Sequence, residues 1–226
     1  MKKLSLLGEK GGCGKSTVAT GLAVAASQAG IETAIINLDP QATASKWSDR
    51  RGKAFPAVVS CQVSRLPHAL DAAEQQGAQL AMIDTPGKST DAAIAAAKVA
   101  DFVLMPIHPQ MYDIETLDKA KDILTLAGNP PSAIVINLAP MQGRRHIETQ
   151  DVLTAAGYRV SPVVLFMRVA HGDAGNIGLT AQEYDPKGKA AQEMIALYEY
   201  IAIALYPEEE RRRAKKYAGR RAESRR

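Results

Sequence analysis

Leu4-Ser5-Leu6-Leu7-Gly8-Glu9-Lys10-Gly11-Gly12-Cys13-Gly14-Lys15-Ser16-Thr17 decides how this chain is read. The apolar run Leu4 to Leu7 predicts a buried strand. It enters a loop with four glycines and leaves into an alanine-rich segment, Val18 to Ala29, that predicts a helix. Strand, glycine loop and helix in that order are the context a phosphate-binding P-loop requires. Without a Cβ, successive backbone N–H groups can turn inward around phosphate oxygens. The new helix adds its unpaired N–H groups and the positive end of its dipole. Lys15 is placed to reach the β- and γ-phosphates, and the Ser16 hydroxyl to bind Mg²⁺.

The plain motif has glycine where this chain has Glu9, and a second lysine, Lys10, precedes Gly11-Gly12. The pattern K-G-G-x-G-K-[ST] resembles the deviant Walker A box of the ParA/MinD family of ATPases. That resemblance implies ATP and Mg²⁺ as cofactors, held by Gly11, Gly12, Cys13, Gly14, Lys15, Ser16 and Thr17. It also implies that Lys10 reaches across a homodimer to the nucleotide of the other subunit.

Further motifs follow in order. Thr33 to Leu38 predicts a second buried strand, ending in Asp39-Pro40-Gln41. A carboxylate at the carboxyl end of a strand, beside a P-loop, sits where ligands bind in an open α/β sheet. In the ParA-like resemblance this is the first switch, and Asp39 positions the attacking water. Many relatives carry aspartate at the position of Asn37. Leu80 to Ile83 followed by Asp84-Thr85-Pro86-Gly87 resembles a Walker B strand, whose aspartate holds Mg²⁺ through water. Its Thr-Pro-Gly suits a second switch loop that senses the γ-phosphate. Ala133 to Ile136 predicts a strand ending in Asn137. The resemblance assigns Asn137 to adenine, whose edge suits an amide with both a donor and an acceptor. A turn-forming asparagine is the alternative.

Between these lie a strand at 57–61, helices at 66–76, 92–100 and 114–127, a strand at 101–107, and a helix ending near Ala156. Val160 to Phe166 predicts a last strand, residues 167–188 a polar, glycine-rich connection, and Lys189 to Tyr206 a long helix. Trp47 reads as packing, and Arg50, Arg51 and Lys53 as a solvated face. Strands that alternate with helices predict an α/β fold, P-loop NTPase-like, with a mostly parallel sheet and helices on both faces. The expected organisation is an ATPase domain over 1–206 and a basic tail over 207–226.

At 46% hydrophobic and 5% aromatic residues, the core is built from aliphatic side chains. Cys13 and Cys61 belong to no Cys/His cluster, which excludes a zinc or iron–sulfur site. Met1-Lys2-Lys3 is followed by too short an apolar run for a signal peptide, so a cytoplasmic chain is expected. Arg211 to Arg226 holds nine Arg/Lys against one Glu, so the first 210 residues sum to −4 within a net charge of +4. A basic tail points to nucleic acid or an anionic membrane. The candidate phosphate contacts are Arg211, Arg212, Arg213, Lys215 and Lys216 on the tail, and Arg144, Arg145, Arg168, Lys187 and Lys189 on the body.

The ParA-like reading is a slow ATPase that dimerises on ATP, binds DNA without sequence preference on the nucleoid, and is released by a stimulating ParB-like partner. Such a switch partitions or positions plasmid, chromosome or other cargo. One alternative is a MinD-like membrane switch. Residues 208–226 offer only Ala214, Tyr217, Ala218 and Ala222 as an apolar face, so no membrane contact is expected. The other is a metabolic synthetase on the same scaffold.

Overall fold

In a computed structural model, described over residues 1–8, 10–110 and 117–206, six parallel strands form one sheet in the order β3-β2-β4-β1-β5-β6. They are β1 (Lys2–Leu6), β2 (Thr33–Asn37), β3 (Ala57–Ser60), β4 (Leu80–Asp84), β5 (Phe102–Ile107) and β6 (Ser132–Ile136). The inner strands are apolar on both faces because helices cover both. Leu80 and Met82 pack in one cluster and Ala81 and Ile83 in another, the alternation a pleated strand imposes.

On one face lies α1 (Lys15–Gln28), whose Leu22, Ala23 and Ala26 meet Leu4, Leu6 and Leu104. Beside it run α2 (Thr43–Arg51) and the long C-terminal helix α9 (Lys189–Leu205). The opposite face is covered by α3 (Leu66–Gln75), α4 (Thr90–Val99), α5 (Leu117–Leu126) and α6 (Arg145–Ala155). The helix expected at 114–127 begins outside the described residues. Among the described residues no helix is long and apolar enough to cross a membrane.

Three expectations fail for physical reasons. Residues 160–166 do not form a strand: only isolated bridges join Val160 to Ile134 and Phe166 to Ala139. Pro162 has no N–H to give a ladder, and the Val163 N–H turns to the Ser161 hydroxyl instead. The glycine-rich connection 167–188 contains α7 (Val169–Asn176) and α8 (Ala181–Tyr184). A capping box nucleates α8: the Thr180 side chain takes the backbone N–H of Glu183, and the Glu183 carboxylate returns to the Thr180 N–H.

The third failure is the solvated basic face. Arg51 is buried and donates from two guanidinium nitrogens to Glu183, at 2.6 and 2.8 Å. It also lies 4.8 Å over the Trp47 ring. Arg50 donates to the Gly175 carbonyl and Trp47 Nε1 to the Leu179 carbonyl. The cations of α2 therefore fasten it to α7 and α8, and only Lys53 of the three basic residues reaches Glu183 from an exposed position.

Candidate functional site

The parallel register brings the chemistry to one edge of the sheet. Asp84, the last residue of β4, pairs with Leu6 of β1 on one side and Asn37 of β2 on the other. Gly8, Asp39 and Asn137 follow those strand ends and β6, at the carboxyl edge where ligands of open α/β sheets bind.

The glycine loop passes into α1 at Gly14, whose φ of 83° is left-handed. Gly14 brings no side chain to cap α1, so the first N–H groups of the helix are left for an anion. Gly11 and Gly12 are exposed at the loop's crest, whereas Lys15 is buried. Its ammonium curls under the loop and donates to the Gly8 carbonyl at 3.0 Å and the Lys10 carbonyl at 3.2 Å. Cys13 Sγ lies 3.8 Å from that nitrogen. Glu9 is outside the described residues.

Asp84 is fully buried, and neither carboxylate oxygen has a hydrogen-bond partner. Burial pushes its pKa up to about 6; the Ser16 hydroxyl and the Lys15 ammonium pull it back, and Asp39 adds to the rise. Ser16 exerts this pull without forming a hydrogen bond of normal length and angle. A buried carboxylate whose oxygens find no partner within the protein is a place where a cation would be favoured. Asp84 and the Ser16 hydroxyl are oxygen donors of the kind Mg²⁺ takes, and they would hold it here. Among the described residues no group of three His, Cys, Asp or Glu side chains could hold a metal alone.

Asp39 is half-buried, and its Oδ1 accepts the Gln41 N–H, closing the turn after β2. Asn37 shapes that turn: its Oδ1 accepts the Asp39 N–H, and its Nδ2 donates to the Ser60 hydroxyl and the Asp39 carbonyl. No local pattern signals this role, because Ser60 lies on β3. Gly87 lies against the P-loop backbone at Lys10. Asn137 is buried, and its Nδ2 donates to the Cys13 carbonyl at 2.7 Å.

The basic candidates separate. Arg144, Arg145, Lys187 and Lys189 are exposed. Arg168 is half-buried and places two nitrogens on Glu193, at 2.8 and 2.6 Å. It lines a groove with Met141, Met167, Val169 and Lys189. The tail candidates Arg211, Arg212, Arg213, Lys215 and Lys216 lie outside the described residues.

Comparison with known proteins agrees with this geometry. Residues 4–165 match the model of the CobQ/CobB/MinD/ParA nucleotide binding domain. The chain is 28% identical over 205 residues to the maintenance of carboxysome distribution protein A of Gloeobacter kilaueensis, covering 89% of this chain and 93% of that one. It is 23% identical over 241 residues to the chromosome-partitioning ATPase Soj of Thermus thermophilus, covering 89% and 95%. Its fold matches the septum site-determining protein MinD of Pyrococcus horikoshii, complexed with Mg-ADP, at a TM-score of 0.69 and 19% identity, covering 88% and 95%. The matched domain takes in every strand of the sheet but the first two residues of β1, and this chain belongs to the CobQ/CobB/MinD/ParA family of nucleotide-binding domains.

Proposed function

We propose that this chain is an ATP-hydrolysing positioning switch of ParA type, which dimerises around Mg-ATP and binds DNA without sequence preference while dimeric. The observation that carries the reading is the place of Lys10. Its peptide lies against Gly87, so the lysine that would cross to a second subunit and the loop that would sense the γ-phosphate are in contact. The curated relatives, a carboxysome distribution protein and a chromosome-partitioning ATPase, support a cargo-positioning role.

In this mechanism the N–H groups of Gly11 to Thr17 enclose the phosphates, and Lys15 exchanges its loop carbonyls for the β- and γ-oxygens. Ser16 and Asp84 would hold Mg²⁺, whose charge would offset the negative charge of the phosphates. Asp39 orients the water for in-line attack. Lys10 adds its charge to the phosphates of the other subunit, so the closed dimer requires triphosphate. Asn137 borders the nucleotide from the end of β6. Hydrolysis removes the contacts that hold the two switch loops, and the dimer loosens. Slow turnover, accelerated by a ParB-like partner, gives the dimer time to act. On the body, Arg144, Arg145, Lys187 and Lys189 are exposed for phosphate contact, whereas Arg168 would have to leave Glu193.

The test is binding of the full-length protein to random-sequence duplex DNA with ATP, ADP or no nucleotide, over a salt series. Binding that needs ATP, is lost in Lys10→Ala and falls steeply with salt supports the switch. Equal binding in every nucleotide state, or none, overturns it. Lys15→Ala should abolish nucleotide binding, and normal ATP binding by that variant would refute the P-loop assignment itself.

A second reading, a synthetase acting on a small molecule, is favoured by one cavity. A small recess of about 90 Å³ lies beside Ser16 and Thr17, lined also by Thr43, Arg50, His171 and Gln182 and by no acidic residue. Such a lining suits a small anionic co-substrate. ATP turnover that depends on a small carboxylic acid, with no response to DNA, would favour this reading over the switch.

A further inference from the structure

We infer that Asn137 is a positioning residue for the phosphate cradle itself, acting through the carbonyl of Cys13. The inference rests on the P-loop reading and deepens it. The Asn137 backbone is fixed, because its N–H continues the β5–β6 ladder to the Ile107 carbonyl at 2.7 Å. Its side chain is 5% exposed, and Nδ2 donates across 124 residues to the Cys13 carbonyl at 2.7 Å. The amide also lies on Gly14: a β-carbon built there would sit 2.4 Å from Asn137 Nδ2. Gly14 is therefore required twice, by its left-handed backbone and by the amide that occupies the place of a side chain.

The peptide between Cys13 and Gly14 is planar and trans, so its C=O and N–H point in opposite directions. Holding the Cys13 oxygen toward Asn137 turns the Gly14 N–H the other way, away from Asn137. That N–H directly precedes Lys15 and belongs to the set that would enclose phosphate. Asn137 thus fixes the orientation of a cradle donor from outside the loop. Its inventory allows this alongside a ligand contact, since one amide N–H and the Oδ1 acceptor are left over.

A residue that only recognises a base cannot affect a ligand that has none. We would measure Mg-ATP and Mg-tripolyphosphate binding by calorimetry on full-length wild type, Asn137→Ala and Asn137→Asp, with amide hydrogen exchange on the ligand-free proteins. The expected result is that Asn137→Ala weakens both ligands by a similar factor of about ten, the scale of a buried carbonyl left unpaired. Asn137→Asp should weaken both further, because its carboxylate faces the Cys13 oxygen. Exchange should rise at residues 13–16 and stay unchanged in β5 and β6. Weaker ATP binding with wild-type tripolyphosphate binding would overturn the proposal and leave a base contact only. Faster exchange throughout the sheet would overturn it in favour of a general structural role. A wild-type protein that binds neither ligand would instead remove the P-loop reading beneath it.

Discussion

Gly87 lies so close to Gly11 that a β-carbon on the first would stand 2.7 Å from the backbone nitrogen of the second. The nearest neighbours are backbone atoms of Lys10 and Gly11, so no flexible side-chain end can give way. Gly87 does not have a positive φ, so alanine there is opposed by space and not by conformation. Gly87→Ala should push the loop after β4 away from the P-loop and, on the proposed switch role of that loop, lower ATP turnover about tenfold or more. The melting temperature should fall little, since the clash is confined to two loops. A phosphate-release assay beside a melting curve separates the two effects.

Asp84 makes the ligand-free protein respond to pH in an unusual direction. Its carboxyl is raised from 3.8 to about 6 in the fold, so between those values the folded state holds a proton that the unfolded chain has lost. Stability from this group is therefore greatest in acid and declines as pH rises through that window, by about 3 kcal/mol in total. Asp84→Asn should be more stable than wild type at pH 7 without Mg²⁺, and the difference should close toward pH 4. With Asp84 as the proposed Mg²⁺ ligand, binding of Mg-nucleotide should run the opposite way, because a metal takes the ionised carboxylate. Its affinity should weaken by about tenfold per pH unit below 6. Chemical denaturation and calorimetry across pH check both slopes.

Glu183 has the reverse sign. Burial alone would raise its pKa, but the hydrogen bonds from Arg51 and Lys53 outweigh burial and hold it at about 2. Its contribution is present above the ordinary glutamate range and is lost as pH falls toward 2. Glu183→Gln strands the buried Arg51 and should destabilise the fold by about 3 kcal/mol. Lys53→Ala removes the exposed member and should cost under about 1 kcal/mol. Urea midpoints of the two variants test this ranking.

Trp47 provides a reporter without labelling. It is the chain's one tryptophan, it is buried on α2, and its indole N–H is fixed to the Leu179 carbonyl at 3.0 Å. Because α2 follows the Asp39 turn directly, a first switch that responds to the γ-phosphate should shift the emission with Mg-ATP and not with Mg-ADP. Identical spectra in both would place the switching motion elsewhere.

The sequence made the cradle legible because its signal is local. Residues 4 to 17 carry strand, glycines, lysine and hydroxyl in one run, and the apolar strands ending in Asp39, Asp84 and Asn137 each declare themselves within six residues. Arg51 does not show its buried role in the sequence, because its partner, Glu183, lies 132 residues away. No periodicity within α2 could announce that pairing. Glycine and polar composition hide the helices at 169–176 and 181–184, and at the second a two-residue capping device outweighs propensity. Asn37 lacks the carboxylate of many relatives, and its amide shapes the turn after β2 through contacts that only the folded sheet creates.

α9 lies beyond residue 165, where the family match stops, yet Met194, Leu197, Ile201 and Leu205 belong to the same core cluster as Leu22, Ala26 and Leu104. Gln182 reaches back as well, donating to the Gly21 carbonyl in α1. The stretch that marks the chain as a nucleotide binder is thus not a transplantable module. A chimera joined near residue 165 would carry every phosphate-binding residue and leave the outer side of its first helix bare. Recombination that preserves this site has to inherit the last forty residues of the fold with it, which ties the heritable unit to the packing and not to the motif.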